Sequence, residues 1–503
     1  MPSYLSPGVY VEEVESGSRP IEGVGTAVAA FVGFAPQGPF HTPTLVGNWA
    51  QFSQTFGDFT EDCYLAHAVY GYFLNGGGNC YIVRVGGSRG NGETSHRGPQ
   101  AELGGYRVAA LPSAEGELSV EVTVGKDDPA DRFTLLVKRD GKVAESFEGV
   151  SAAKRGKDNA VKVVAEKSKL ITLTEIGQAT PPQKGTVVLA APAPVPAAPS
   201  RIQPEDYVGD VGDRTGLSGL EVIDEITMVA VPDLMSAYER GTVDLETVKA
   251  VQLAVIAHCE LMGDRMAILD PPPDMSPQQV KDWRVDLAGY DSKYAALYYP
   301  WVKVFDPAAG GNEFVPPSGH MAGVWARNDA QRGVHKAPAN EVVRGAIALQ
   351  SQLTRAEQEL LNPLGVNCVR AFPGRGIRVW GARTLSSDPA WRYLNVRRLF
   401  NYLEESILSG TQWVVFEPND DALWAKIRRT ISAFLVMEWR KGSLFGLTPD
   451  EAYFVKCDRD TNPAESIDAG QVICEIGVAP VKPAEFVIFR LSQMSGGTSL
   501  VSE

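Results

Sequence analysis

Ile226-Thr-Met-Val-Ala-Val231, Arg265-Met-Ala-Ile-Leu-Asp270 and Tyr294-Ala-Ala-Leu-Tyr-Tyr299 are three short, mostly apolar runs. Segments with helical spacing, Leu245 to Met262 and about Pro277 to Ala288, separate them. A short run with few polar alternates suits a strand buried on both faces, and a helix between two such runs can cover one face. This alternation predicts a parallel sheet with helices packed on it.

Upstream, Thr26-Ala-Val-Ala-Ala-Phe-Val-Gly-Phe34 reads as another buried strand, closed by Pro36-Gln-Gly-Pro39. Glu61 to Leu74 places Tyr64, Leu65, Ala68, Val69, Tyr72 and Phe73 on one helical stripe. Asn75-Gly-Gly-Gly78 terminates it, and Cys80 to Val85 continues as a strand. Downstream, Pro316 to Asn340 is rich in Gly, Pro and Asn and reads as a loop region. Residues 26–88 and 205–358 are thus expected to form one α/β domain.

Between those halves the pattern changes. Leu118–Val124, Arg132–Lys138 and Val143–Glu148 alternate apolar and polar residues, with Asp140-Gly141 as a hairpin turn. Residues 89–204 read as an inserted small antiparallel β domain that ends in the stiff linker Ala190 to Pro199. Residues 359–503 read as an α+β domain. Its helices run from Trp391 to Leu408 and from Ala422 to Lys441, with Gly442 closing the second. Strands Ala452–Cys457, Gln471–Val478 and Glu485–Leu491 follow.

The closing strand is apolar on both sides: Phe486 and Ile488 point one way, Val487, Phe489 and Leu491 the other. Residues 1–25 form an arm whose strand, Gly8 to Val14 with Val9, Tyr10, Val11 and Glu12 at its centre, is isolated by Ser16-Gly-Ser-Arg-Pro20. A terminal strand that cannot bury both faces alone must pair with a sheet, its own or a neighbour's. Two such strands, one at each end, suggest a subunit linked to copies of itself.

At 503 residues the chain has room for roughly three domains of about 150 residues. A net charge of −14 argues against general nucleic-acid binding, which needs a basic surface. The six cysteines are scattered without a C-x-x-C pair, so reduced, buried thiols are expected rather than zinc or a redox dithiol. The N-terminus lacks a secretory pattern and no run is long enough to span a membrane, which suggests synthesis in the cytoplasm.

Catalytic spacing is scarce. There is no phosphate loop, no H-E-x-x-H helix and no G-x-S-x-G elbow, and no metal or cofactor is expected. Asp233 and Asp270 stand at or just past the carboxyl ends of expected parallel strands, where α/β enzymes place ligands. Capping or turning the chain is the plainer role for both, and His258 reads as packed or surface. His320 and His335 bracket Arg327, Asn328, Asp329 and Arg332, a set that suits either a site or a hydrogen-bonded loop. Basic residues gather on the two C-terminal helices: Arg392, Arg397 and Arg398 on the first, Lys426, Arg428 and Arg429 on the second.

Several long stretches resemble contractile tail sheath proteins. They are Val315 to Asn340, Asn362-Pro-Leu-Gly-Val-Asn367, Asn395 to Asn419, Ile476-Gly-Val-Ala-Pro480 with its closing strand, and the opening Tyr4 to Glu13. The resemblance covers residues 1 to about 85 and about 205 to 495 and leaves the insertion unassigned. It implies a structural sheath subunit, not an enzyme, that forms stacked hexameric rings around an inner tube and contracts to drive the tube through an envelope. The implied partners are further copies, the inner tube protein, and baseplate and terminal cap proteins, with no nucleic acid and no membrane insertion. The implied location is cytoplasmic assembly, then a phage tail or phage-like injection particle. On this reading Gly8–Val14 and Glu485–Leu491 are the inter-subunit linkers. Arg397, Arg398, Lys426, Arg428 and Arg429 become grips for an acidic tube. The competing reading is an α/β hydrolase-like or ligand-binding enzyme using Asp233, Asp270 and the His320–His335 loop.

Overall fold

A computed structural model describes residues 20–86, 100–111, 118–123, 132–139, 141–152, 158–175, 182, 184–189, 199, 202–307 and 309–490. Its centre is an eight-stranded sheet. In spatial order the strands are Gly376–Val379, Val366–Phe372, Ala295–Tyr299, Met266–Leu269, Met228–Ala230, Ala29–Gly33, Cys80–Arg84 and Thr44–Val46. The six inner strands pair in parallel, and the two edge strands return antiparallel. The three opening runs therefore lie side by side, as their apolar character predicts, and their side chains are buried on both faces.

Helix Leu245–Met262 has the expected bounds, starting at the Asp244 cap and ending at Gly263 in the left-handed region. The helix expected from Pro277 to Ala288 changes to π-helical winding after Asp282. The sheet also runs on to residue 379, past the expected domain edge at 358.

The region from 316 to 340 is not a loop: Ser318–Arg332 is an α-helix, and its first eleven residues are buried. Its glycines serve packing rather than turning. A Cβ on Gly319 would stand 2.3 Å from the Ala68 Cα, and one on Gly323 would stand 2.4 Å from the Tyr72 carbonyl oxygen. Both contacts are with helix Leu65–Asn75, so two backbones meet at a distance that only glycine permits. Burial of that face outweighs low helix propensity.

The insertion has its own core of Tyr106, Val120, Val122, Phe133, Leu135 and neighbouring apolar residues. Strands Leu118–Thr123, Arg132–Arg139 and Lys142–Ser151 pair in succession, and Gly141 takes a positive φ of 76° in the turn. Helix Ala160–Lys167 and a second, three-stranded sheet were not expected.

In the C-terminal part, helices Leu394–Gly410 and Asp421–Arg440 pack around Leu399, Leu403, Leu423, Ile427, Ile431, Phe434 and Leu435. Tyr453–Lys456 and Glu475–Val478 form a sheet of two antiparallel strands. The strand expected at 485–491 is absent from the described part of that segment: residues 485–490 carry no ladder partner among the described residues. The Gly8–Val14 arm and Leu491 lie outside the described residues.

Candidate functional site

The chain leaves Glu475–Val478 by running along the body. The Phe445 N–H donates to the Ala479 carbonyl at 2.8 Å, and the Asn395 Nδ2 donates to the Val481 carbonyl at 3.2 Å. Glu485 then fixes the segment. Its carboxylate accepts two bonds from the Arg383 guanidinium, at 2.6 and 2.9 Å, one from Asn362 at 2.8 Å and one from the Tyr393 hydroxyl at 3.2 Å. Burial pushes this carboxyl up, but those bonds outweigh it and hold the pKa below the ordinary value.

Beyond the anchor none of the described residues covers the chain. Phe486, Val487, Ile488 and Phe489 are 72, 67, 78 and 84% exposed. Four consecutive large apolar residues in water are costly unless they serve an interface. Beside the anchor lies a groove of about 910 Å³ that takes in Lys336, Arg370, Trp380, Arg383 and the tail itself. Among the described residues the adjacent sheet has two strands, which pack on helix Asp421–Arg440.

The basic residues separate into two groups. Arg397 and Arg398 are 1% and 4% exposed, so the expectation that they grip an outside partner is corrected. The Arg397 Nε donates to Asn401 at 2.6 Å and its Nη2 to Glu404 at 3.0 Å, while its guanidinium stacks on Trp391 and Tyr294. Arg398 forks onto Asp329 at 2.6 and 3.0 Å, donates to the Thr26 carbonyl at 3.0 Å and lies over Trp325. It binds the C-terminal helices to the central helix Ser318–Arg332. Lys426 is half-buried over Trp413, Arg428 donates to the Cys457 carbonyl, and Arg429 is exposed. On a helix each arginine's face is fixed by one position, so charge clustering in sequence does not show which members point inward.

The residues of the competing enzyme reading do not converge on a site. Asp233 is fully buried and accepts from the backbone N–H groups of Phe34, Tyr64 and Leu65, so it caps the start of helix Leu65–Asn75. This also explains why that helix begins at Leu65 rather than Glu61. Asp270 accepts from the Ser318 N–H at 2.9 Å and does the same for the helix at Ser318. Burial pushes both carboxyls up to about 7. His258 packs against Arg265. His320 is buried against Gly71, whereas His335 shares a contact with Ser443 Oγ at 3.2 Å. Asp329 belongs to the polar set read from the sequence, but Arg383 carries a linkage that the sequence reading missed, because a buried ion pair leaves no periodic signal.

Comparison with known proteins agrees with this architecture. The sequence model described as phage tail sheath protein central domain matches residues 212–385, and that described as phage tail sheath C-terminal domain matches residues 386–493. The tail sheath protein of Burkholderia phage BcepMu is 26% identical over 510 residues, covering 96% of this chain and 95% of that protein. The tail sheath protein of Enterobacteria phage T4 is 25% identical over 277 residues, covering 50% of this chain and 40% of its own length. Among solved structures, the contracted PVC sheath complex of an extracellular contractile injection system superposes with a TM-score of 0.58 at 25% identity, covering 98% of this chain and 99% of that one. The contracted helical sheath of the anti-feeding prophage gives a TM-score of 0.58 at 25% identity, covering 97% and 99%. With its two domain matches spanning more than half of its length, the chain belongs to the phage tail sheath family, whose members are structural proteins and not enzymes.

Proposed function

We propose that this chain is the sheath subunit of a contractile injection apparatus. Copies polymerise as stacked hexameric rings around an inner tube, and the sheath contracts to drive that tube through a target envelope. The observation that carries the linkage is the exposed apolar tail Phe486–Phe489, held at its base by the Glu485–Arg383 pair beside a sheet of only two strands. In the assembly the tail, together with the arm bearing Val9, Tyr10, Val11 and Glu12, adds strands to a neighbour's sheet. A strand of about six residues gains several main-chain hydrogen bonds worth roughly 1 kcal/mol each. Burial of each large apolar side chain contributes about 1.5–3 kcal/mol more.

The partners are other copies, the inner tube protein, and baseplate and terminal cap proteins, with no nucleic acid. Lys426, Arg428 and Arg429 are the tube-facing grips, and the insertion is an outward-facing decoration. Contraction needs no nucleotide if the extended lattice is kinetically trapped and the contracted one buries more surface. Assembly takes place in the cytoplasm, ahead of incorporation into a phage tail or phage-like injection particle.

The test removes residues 1–19 and 486–503 and follows polymerisation by electron microscopy and sedimentation. A folded chain that no longer forms sheaths is expected. Sheaths of normal length from the doubly truncated chain would overturn the linkage.

A further inference from the structure

The corner between helix Leu65–Asn75 and the hairpin Val302–Asp306/Gly311–Val315 takes no part in the linkages above. The hairpin register sets Val304 opposite Glu313 and Asp306 opposite Gly311. Residues 304 and 306 share a face, so Asp306 and Glu313 are diagonal neighbours on one side of the ladder. His67 reaches that side from the helix. One ligand atom from each of His67, Asp306 and Glu313 lies within 4.8 Å of the other two.

His67 is the observation that separates this corner from a patch of surface acids. It is 3% exposed, and among the described residues its ring nitrogens make no hydrogen bond. Its Nε2 stands 3.6 Å from the Glu313 carboxylate, which is too far for one. Burial lowers its pKa, so the imidazole is neutral and offers a lone pair instead of a charge. Burial and then the charges of Asp306, Glu239, Asp62 and Glu61 push the Glu313 carboxyl up to about 7, and the charges that act most strongly on it are all acidic. A buried neutral imidazole within reach of two carboxylates is a good donor set for a cation.

We propose that His67, Asp306 and Glu313 bind one divalent cation of the zinc class, tying the hairpin to the helix. Imidazole with carboxylates suits zinc and its transition-metal neighbours, whereas calcium and magnesium take oxygen ligands. Tetrahedral bonds of about 2.0–2.2 Å place ligand atoms roughly 3.4 Å apart. The 3.6 Å between His67 and Glu313 already matches, and the half-exposed Glu313 supplies the remaining closure. Exposed Glu61 and Asp62 draw cations to the opening.

The experiment strips the full-length chain with chelator, adds zinc ion, and measures bound metal after desalting together with affinity by calorimetry. One equivalent per chain is expected, with binding at least tenfold weaker in Glu313→Gln and in His67→Gln, and with excess magnesium unable to displace zinc. Circular dichroism shows whether the buried His67→Gln folds, and Glu313→Gln, on a half-exposed side chain, decides the matter if it does not. Substoichiometric binding by the parent chain, unchanged affinity in Glu313→Gln, or displacement by magnesium would each overturn the site.

Discussion

Arg398 and Arg429 have the same chemistry and opposite surroundings. Arg398 and Asp329 are each 4% exposed at the side chain, so removing one leaves a buried charge without its partner. Arg398→Ala should destabilise the monomer by about 3–5 kcal/mol in denaturant unfolding. The exposed Arg429→Glu should change stability by less than about 0.5 kcal/mol while lowering assembly on tubes in a pelleting assay. Asp270 tests burial by pH. Its pKa is raised from the ordinary 3.8 to about 7, so the folded state favours the protonated form. The stability gained from that form is full below about 4 and is lost as pH rises through 7. The Tm of Asp270→Asn relative to the parent chain should therefore improve as pH goes from 4 to 8. A difference that stays flat across that range would show that burial does not govern this carboxyl.

Helix Ser318–Arg332 and its partner Leu65–Asn75 show how far pattern reading reaches among the elements. Five central strands, Ala29–Gly33, Cys80–Arg84, Met228–Ala230, Met266–Leu269 and Ala295–Tyr299, were legible because a strand buried on both faces must be apolar throughout, whereas Thr44–Val46, Val366–Phe372 and Gly376–Val379 were not read. Helices Leu245–Met262, Leu394–Gly410 and Asp421–Arg440 were legible from caps and stripes. Ser318–Arg332 was not, since its apolar content is low and its glycines read as breakers. Only the facing helix explains them, through a contact far away in sequence. Gly319→Val would drive a branched side chain into Ala68, and overpacking of this kind costs about 1–3 kcal/mol or more. A fall in Tm of several degrees is the expected readout. Arg332→Ala, at the exposed far end of the same helix, should leave the Tm nearly unchanged. The tail was read as a strand, yet residues 485–490 have no ladder partner among the described residues; whether it pairs at home or abroad depends on edges that no local pattern records. Its anchor, the Glu485–Arg383 pair, joins residues 102 apart in sequence and could not be read locally.

For the whole molecule, the insertion leaves and rejoins the body at one point. A Cβ on Gly86 would stand 2.6 Å from the Pro199 ring, so its entry and exit are in contact. Its core is separate from the central one. Replacing residues 88–198 with a short Gly/Ser bridge should leave a soluble chain with an unchanged unfolding midpoint and intact polymerisation, checked by calorimetry and electron microscopy. Loss of polymers from such a chain would instead give the insertion a part in subunit contacts. The position of Glu485 has a mechanical outcome as well. The Arg383 that holds it also donates its backbone N–H to Asn367 at 2.7 Å, within a strand of the central sheet. If the tail joins a neighbour as proposed, tension on it enters through a bidentate clamp and passes to the central sheet. Load taken up at that clamp bypasses the two-stranded sheet upstream, which is then not the first element to be peeled apart.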